Sequence, residues 1–206
     1  MEQATTACLR HPSGEPLRVD AGRWLAPLAP VDYRVLSRAH PPVLDIGCGP
    51  GRHVVALAEQ RKLTLGIDLT PPAIDLARDR GAPVLHRSVF ARVPGARRWR
   101  TALLLDGNIG IGGDPVELLH RVRALLRVGG CVLVELDPPG APRVRTTARL
   151  ELGSRYGPWF PWSCLSIDEL GATAIASDLT VDEVWCDEGR WFAALHTRAR
   201  GLRRAP

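Results

Sequence analysis

From residue 42 onward, short apolar runs alternate with segments in which apolar residues recur every three or four positions. The short runs predict strands at roughly 42–46, 63–67, 83–86, 101–105 and 131–136. The intervening segments predict helices at roughly 51–60 and 70–80, and a third that begins after Asp114 and ends at Gly129. This alternation is typical of a parallel sheet with crossover helices.

The two ends of the chain complete this picture. Residues 1–20 carry little pattern, whereas residues 20–39 have apolar residues at broken helical spacing, interrupted by Pro27 and Pro30, which predicts two short helices. Residues 137–162 look like a long insertion, and 181–186 with 191–197 a hairpin. We therefore expect an α/β fold of the Rossmann-like, doubly wound type, with a seven-stranded, mostly parallel sheet and an antiparallel terminal strand.

The length of 206 residues and the hydrophobic share of 45% fit one domain. We divide it into an N-terminal helical cap (1–40), a core (41–198) and a basic tail (199–206). No apolar run approaches the length of a membrane span, and the N-terminus lacks the order of a signal peptide, which predicts a cytoplasmic protein without a membrane partner. Five scattered cysteines without a Cys-x-x-Cys pair predict free thiols and no metal site.

The net charge of +5 raises the possibility of nucleic acid binding. However, Lys62 is the only lysine, so the bias is as compatible with codon usage as with a binding surface. Basic residues cluster at 97–100 and 198–204, where a solvated face and a frayed terminus are sufficient explanations. We expect nucleic acid to be an unlikely partner.

The segment Val43–Gly51 carries the first chemical motif. Its apolar run breaks into three alternating glycines, which let a ligand approach the backbone closely. The dinucleotide fingerprint requires a further glycine where this chain has Arg52, so a plain NAD site is disfavoured. Asp68, at the end of the next strand, is placed to accept hydrogen bonds from the two hydroxyls of a ribose.

The pattern Asp45-x-Gly-x-Gly-x-Gly resembles the first motif of the class I S-adenosylmethionine-dependent methyltransferases, and the resemblance covers about residues 40–198. It implies that S-adenosylmethionine is the cofactor, with its methionine part over the glycine loop. It also implies that Ser88 and Val89 lie near the adenine, where many members have an acidic residue instead. The implied cofactor-binding residues are Asp45, Gly47, Cys48, Gly49, Gly51, Asp68, Leu69, Ser88, Val89, Asp106 and Gly107.

A second glycine-rich loop, 106–113, follows the fourth predicted strand, where open α/β sheets hold ligands. Its polar residues Asp106 and Asn108 are the candidate catalytic residues. Asp106 could orient the methionine amine or take a proton from the acceptor; a structural cap on the loop is the alternative. Trp24, Tyr33 and Trp162 are candidates for the substrate pocket, with core packing as the alternative for each.

These features predict an S-adenosylmethionine-dependent methyltransferase (EC 2.1.1.-) acting on a small-molecule acceptor. The Asn-Pro-Pro-Tyr type motif of enzymes that methylate nucleic acid amines is absent after the fourth strand, where Asp106 to Ile109 stand. Two alternatives stay open. One is a protein that binds the cofactor without methyl transfer or uses it for another reaction, and the other is an RNA methyltransferase. The sequence does not indicate the acceptor or the oligomeric state.

Overall fold

The computed structural model describes residues 7–17, 21–152 and 155–197. The strands in these ranges are β1 (Ala7–Arg10), β2 (Val43–Ile46), β3 (Thr64–Asp68), β4 (Val84–His86), β5 (Trp99–Leu104), β6 (Leu126–Leu136), β7 (Val144–Leu152), β8 (Arg155–Cys164), β9 (Leu179–Asp187) and β10 (Arg190–Thr197). The α-helices are α1 (Pro30–Ser37), α2 (Arg52–Glu59), α3 (Pro71–Asp79), α4 (Pro115–Leu125) and α5 (Leu170–Ala176). Short 3₁₀ helices span Ala21–Trp24, Asn108–Gly113 and Ile167–Glu169.

Seven strands form one sheet in the order β4-β3-β2-β5-β6-β10-β9. Neighbours from β4 to β6 run parallel, whereas β10 pairs antiparallel with both β6 and β9. The predicted fold class is therefore confirmed. The carboxyl ends of β2, β3, β5 and β6 meet at one edge of this sheet, and the loops that follow them build the candidate site.

The sheet is covered by helices on both faces. On one face, side chains such as Leu44, Leu104 and Val134 belong to a core with residues of α4 and α5. On the other face, Leu103 and Leu133 belong to a core with residues of α1 and α2. The alternation of buried side chains along β5 places consecutive leucines in opposite cores, as expected for a strand buried on both sides.

Two element boundaries differ from the predictions. Helix α4 begins after Asp114, whose carboxylate accepts hydrogen bonds from the backbone N–H groups of Val116 and Glu117, but it ends at Leu125 rather than at Gly129. Leu126 already has extended backbone angles because it pairs with Trp99 of β5. The sixth strand is therefore longer at its start than its apolar run indicates.

The segment 137–162, which the sequence indicates only as a long insertion, forms strands. This segment contains β7 and most of β8, which pair antiparallel, and β1 joins β7 in a second sheet of three strands. Strand β1 lies within residues 1–20, where the sequence carries little pattern. Leu9 of β1 is buried with Ala148 and Trp162, and this small apolar core holds the second sheet together.

The two short N-terminal helices are present as a 3₁₀ turn and α1. The predicted basic tail, together with residues 1–6 and 18–20, lies outside the described residues. Within the described ranges, no helix combines the length and the apolar character that crossing a membrane requires.

Candidate active site

The glycine loop between β2 and α2 lies at the carboxyl edge of the main sheet. Gly47, Gly49 and Gly51 all have positive φ angles, between 51° and 79°, which disfavour residues with a Cβ atom. A Cβ atom at Gly47 would lie 2.8 Å from the side chains of Asn108 and Ile111, whereas one at Gly49 would meet no atom within 4 Å. The loop is thus packed against the protein at Gly47 and open at Gly49.

Asp68, at the end of β3, bridges the glycine loop and the loop that precedes α3. Its Oδ2 atom accepts a hydrogen bond from the Gly49 N–H at 2.9 Å, and its Oδ1 atom accepts one from the Thr70 N–H at 2.7 Å. These bonds fix the orientation of the carboxylate. Each carboxylate oxygen has a second lone pair, so the group can still accept hydrogen bonds from a ligand.

Two large apolar side chains in the loops after β3 and β4 are exposed. Leu69 is 61% exposed, and Phe90 is 41% exposed and borders Gly112, where an added Cβ would lie 2.8 Å from its ring. Between them in the chain, Ser88 accepts a hydrogen bond from the Phe90 N–H at 3.2 Å, and Val89 is buried. Ser88, the residue predicted to contact an adenine, therefore lies in a turn that ends in exposed apolar surface.

Arg121 of α4 holds the turn that contains Ser88 and Val89. Its guanidinium donates to the carbonyl oxygens of Val89 at 2.7 Å and of Ala91 at 2.6 Å. Sequence reasoning did not single out Arg121, because its position on a helix indicated only a solvated charge. The contact shows that α4 holds the loop after β4 in one conformation.

Asn108 joins the two glycine-rich loops. Its amide nitrogen donates to the carbonyl oxygens of Ile46 and Gly47, each at 2.9 Å. An asparagine amide carries two donors, so both are used to hold the end of β2. This candidate catalytic residue therefore positions the glycine loop.

Asp106 belongs to a buried group of charges that we call the ionic cluster, formed by Asp32, Arg52, Asp106, Glu135 and Arg190. Arg52 donates to Asp32 at 2.8 Å and to both carboxylate oxygens of Asp106 at 2.8 Å. Arg190 donates to Asp32 at 2.7 Å and to Glu135 at 2.7 and 2.8 Å. Because such charges lose most of their hydration, close pairing is what keeps them stable in the interior.

The ionic cluster fixes the charge state of its carboxylates. Burial by itself would raise the pKa of Asp32, but hydrogen bonds from Arg190 and the Ala29 N–H, together with the charge of Arg52, lower it to about 2. For Asp106, burial again opposes the charged form, but the charge and hydrogen bonds of Arg52 and the charge of Arg190 lower the pKa below its ordinary value. Both groups are carboxylates at neutral pH.

Asp45 and His53 lie beside the ionic cluster but are not paired with an arginine of the cluster by hydrogen bonds. Neither oxygen of Asp45 nor the Nε2 atom of His53 has a hydrogen-bond partner among the described residues, and the nearest Asp45–His53 approach is 3.8 Å. Burial, with the negative charge of Asp106 nearby, raises the pKa of Asp45 to about 8. Burial lowers the pKa of His53. Near neutral pH both side chains are therefore mainly uncharged.

A cavity opens next to Asp106, between the 3₁₀ helix 108–113 and strand β8. We call it the β8 cavity; its walls include residues from four separate parts of the chain, namely Arg23, 106–109, 135–137 and 162–165. Gly110 allows this arrangement, since a Cβ atom there would lie 2.1 Å from the Ser163 carbonyl oxygen and 2.7 Å from the Trp162 ring. Strand β8 thus closes directly over the second glycine-rich loop.

The structure does not bring together all three residues predicted for a substrate pocket. Trp162 is buried and lines the β8 cavity, and Trp24 packs into the same small apolar core. Tyr33 is 52% exposed and lines a different cavity, between α1 and α2, with Leu25 and Val55. The aromatic segment of β8 therefore faces the site, whereas Tyr33 does not share its cavity.

Comparison with known proteins shows what this arrangement is similar to. Residues 43–130, which contain the glycine loop, Asp68 and the second glycine-rich loop, match the family model described as a methyltransferase domain. This segment of the chain is therefore similar to a methyltransferase domain. The resemblance to the class I S-adenosylmethionine-dependent methyltransferases is thereby confirmed.

Solved structures share the fold of this methyltransferase domain and of the strands around it. An S-adenosylmethionine-dependent methyltransferase from Bacteroides fragilis, in complex with S-adenosyl-L-homocysteine, aligns with a TM-score of 0.77 at 21% identity over 94% of this chain and 88% of that one. The 1,6-didemethyltoxoflavin-N1-methyltransferase of Burkholderia thailandensis aligns with a TM-score of 0.59 at 20% identity over 82% and 77%. The glycopeptide N-methyltransferase MtfA aligns with a TM-score of 0.63 at 16% identity over 84% and 91%.

Much of the chemistry around the methyltransferase domain was not visible in the sequence. Arg52 was noted only as the residue that breaks the dinucleotide fingerprint, and Arg190 gave no signal because it lies in a hairpin. Both turn out to neutralise Asp106 or its neighbours.

Proposed function

We propose that this protein is an S-adenosylmethionine-dependent methyltransferase that acts on a small-molecule acceptor. The observation that carries the proposal is the bridge between Asp68 and the Gly49 N–H, beside a loop whose surface at Gly49 is open. This arrangement puts a fixed carboxylate next to backbone that a ligand can approach closely. A ribose with two hydroxyl groups is the ligand that such a carboxylate fits.

The remaining residues also fit this cofactor. Leu69 and Phe90 offer exposed apolar surface for an adenine ring, in the turn that Ser88 and Val89 form. Gly47, Cys48, Gly49 and Gly51 would lie under the methionine part, with Asp45, Asp106 and Gly107 at its far end. When bound, the cofactor would supply a methyl group that is activated by a positively charged sulfur.

The surroundings of Asp106 suit a role in orienting the cofactor rather than in removing a proton from the acceptor. A carboxylate with a lowered pKa, already paired with Arg52 and Arg190, is a weak base but a fixed negative charge. We propose that Asp106 orients the amine of the cofactor and that Asn108 holds the glycine loop in register with it. Alignment of the two reactants is the main requirement for methyl transfer from a sulfonium.

A small-molecule acceptor is supported by the position of the cavity and of the basic residues. The β8 cavity is walled by β8 and next to Asp106, which suits a small group. The basic segment 97–100 precedes or begins β5, at the opposite end of that strand from Asp106. A polyanion bound to those arginines would therefore approach the edge of the sheet away from the candidate site.

The cofactor part of the proposal is tested by calorimetric titration with S-adenosylhomocysteine. Asp68→Ala should weaken binding about 10- to 100-fold, since a hydrogen bond to a charged group contributes about 1.5–3 kcal/mol. Asp75→Ala, which removes an exposed carboxylate on α3, is the matched control and should bind as the wild type does. Absence of binding to the wild-type protein would refute the proposal.

The acceptor part is tested by the release of S-adenosylhomocysteine from S-adenosylmethionine. Cell extract is separated into a metabolite fraction and an RNA fraction, and each is offered to the protein. We expect release with metabolites and none with RNA. Release with RNA alone would favour an RNA methyltransferase, and cofactor binding without release in either fraction would favour a binding protein.

A further inference from the structure

Five exposed arginines lie at the amino-terminal edge of the main sheet, opposite the glycine loop. Because β2, β3, β5 and β6 run parallel, the residues at or just before their starts meet at one edge. The Pro42 carbonyl oxygen accepts a hydrogen bond from the Arg100 N–H at 2.9 Å, and the Leu63 carbonyl oxygen accepts one from the Val43 N–H at 2.9 Å. We call this surface the basic edge; its arginines are Arg61, Arg97, Arg98, Arg100 and Arg127.

The arginines of the basic edge differ from most others in the protein. Within the described residues, their side chains make no hydrogen bond and no ion pair. Most other described arginines pair with a carboxylate, as Arg34 and Arg149 do, or bind a backbone carbonyl oxygen, as Arg121 does. The segments that form the edge, 40–42, 61–63, 97–100 and 127–130, contain no aspartate or glutamate. Because like charges repel, an anionic partner would stabilise this surface.

Two exposed aliphatic side chains lie at the same edge. Leu63, just before β3, is 69% exposed, and Val128, near the start of β6, is 70% exposed. In the strand order they stand on either side of the starts of β2 and β5. A partner that only neutralised the arginines would leave both side chains in water. A partner that combines negative charge with apolar groups would cover them as well.

An acidic protein segment fits this combination better than a nucleic acid or a membrane does. Trp99, the aromatic residue of the four segments, is 7% exposed and donates its indole N–H to the Pro94 carbonyl oxygen at 2.9 Å, so it is not placed to stack on a base. The edge is formed by strand starts rather than by a helix with an apolar face, which is the element that lies in a membrane surface. Arginine is enriched and lysine depleted at protein interfaces, and a guanidinium binds a carboxylate through two parallel hydrogen bonds.

We infer that the basic edge docks a short acidic segment of another protein, with carboxylates on the arginines and apolar side chains on Leu63 and Val128. Neighbouring strands lie about 4.8 Å apart, so the four strand starts span about 15 Å, the length of about five extended residues. The loops 47–51 and 106–113 lie at the other edge of the sheet, so docking leaves the candidate active site open. This surface and its partner do not depend on the proposed function.

The test measures binding of a fluorescently labelled synthetic peptide in which glutamate and leucine alternate, by fluorescence anisotropy. One comparison peptide has serine in place of every leucine, and another has glutamine in place of every glutamate. Oligouridylate and phosphatidylserine vesicles represent the two other kinds of partner. We expect the glutamate–leucine peptide to bind most tightly, the serine peptide to bind more weakly, and the glutamine peptide not to bind.

Variants locate the peptide on the protein. Arg98→Gln and Arg100→Gln should each weaken binding about fivefold, the effect of losing one hydrogen bond. The matched control is Arg87→Gln, which removes the same charge from an exposed arginine that follows β4 at the carboxyl edge, and it should bind as the wild type does. Val128→Ser should also weaken binding, whereas Ile175→Ser, which changes a side chain that is 68% exposed on α5, should not.

Three results would overturn the inference. The first is equal binding of the glutamate and glutamine peptides, and the second is equal weakening by Arg87→Gln and Arg100→Gln. The third is tighter binding of oligouridylate or of the vesicles than of the peptide, which would assign the basic edge to nucleic acid or to a membrane surface. Calorimetry with S-adenosylhomocysteine on the same proteins tests the proposed function separately, since none of these results depends on cofactor binding.

Discussion

The glycine loop and the β8 cavity lie side by side, but they are built in different ways. The glycine loop, residues 47–51, is one continuous segment whose shape is set by backbone angles and by hydrogen bonds from Asn108 and to Asp68. The β8 cavity is assembled from four distant parts of the chain and depends on buried charges and on the close approach at Gly110. A cofactor can therefore be read from a local motif, whereas the acceptor group depends on tertiary structure.

Among the predicted changes in stability, a substitution in the ionic cluster should be the largest. Arg52→Met removes one guanidinium and leaves Asp32 and Asp106 buried with less compensation. We expect the free energy of unfolding to fall by about 3–5 kcal/mol, the cost of breaking a buried ion pair from one side. Urea denaturation followed by circular dichroism measures this change.

The matched control is Arg34→Met, since Arg34 pairs with Asp187 and Glu188 at the surface with its side chain 49% exposed. That change should cost no more than about 1 kcal/mol. Equal losses in the two variants would mean that the ionic cluster stabilises the protein no more than a surface pair does.

The uncompensated carboxyl of Asp45 predicts an unusual dependence on pH. Its pKa is about 8 when folded and near 3.8 when unfolded, so the unfolded chain releases this proton at lower pH than the folded protein. Stability from this group is therefore complete below pH 3.8 and falls as the pH rises toward 8. Asp45→Asn removes that titration.

We expect Asp45→Asn to gain stability relative to the wild type as the pH is raised from 5 to 7, by about 2–3 kcal/mol over the two units. Asp32, with its pKa lowered to about 2, has the opposite sign: its stabilisation is lost as the pH falls from about 4 through 2. A stability difference between Asp45→Asn and the wild type that is constant from pH 5 to 7 would contradict this account of the site.

Gly110 allows the contact between the second glycine-rich loop and strand β8 to be tested. Gly110→Ala would put a Cβ atom 2.1 Å from the Ser163 carbonyl oxygen, so strand β8 or the 3₁₀ helix must move. Overpacking of this kind costs about 1–3 kcal/mol. Thermal unfolding should show lower stability, and titration with S-adenosylhomocysteine should show a smaller loss of affinity, because the clash is with strand β8 rather than with the glycine loop itself.

The control for Gly110→Ala is Gly171→Ala in helix α5, where an added Cβ atom meets nothing within 4 Å. Alanine there should stabilise the helix by about 0.5–1 kcal/mol. If Gly110→Ala were as stable as the wild type, β8 would not be held against the loop as described.

Features of the fold that are set by local sequence were predictable, whereas features that depend on contacts between distant parts of the chain were not. The parallel strands of the main sheet were predictable because buried parallel strands are continuous apolar runs separated by segments of helical periodicity. The small sheet was missed, although β7 alternates small or apolar residues with charged ones, because its strands are half exposed and one partner, β1, is more than 130 positions away in the register Leu9 to Leu150. Pairing at that distance leaves no local signal.

The site shows the same limit at the level of single residues. Asp68 was predictable from its place at the end of a strand, and its contact with the Gly49 N–H agrees with the predicted position. The partners of Asp106 were not, because Arg190 reaches it from a hairpin 84 positions later in the chain. Charge pairing in the interior is set by the fold, and the sequence shows only that the charges exist.

Asn108 is the residue that connects the two regions, and its substitution should have the smallest effect on stability. Asn108→Ala removes the two donors to the Ile46 and Gly47 carbonyl oxygens, at a cost of about 1 kcal/mol. Turnover should fall by more than cofactor affinity if the loop is held in register mainly for the transition state. Asn108→Asp has the same shape but replaces the donors with a carboxylate that faces two carbonyl oxygens, so it should be more harmful than alanine at neutral pH. Denaturation, calorimetry with S-adenosylhomocysteine and release assays on all three proteins rank them, and an aspartate variant as stable and active as the wild type would show that these two hydrogen bonds do not hold the loop.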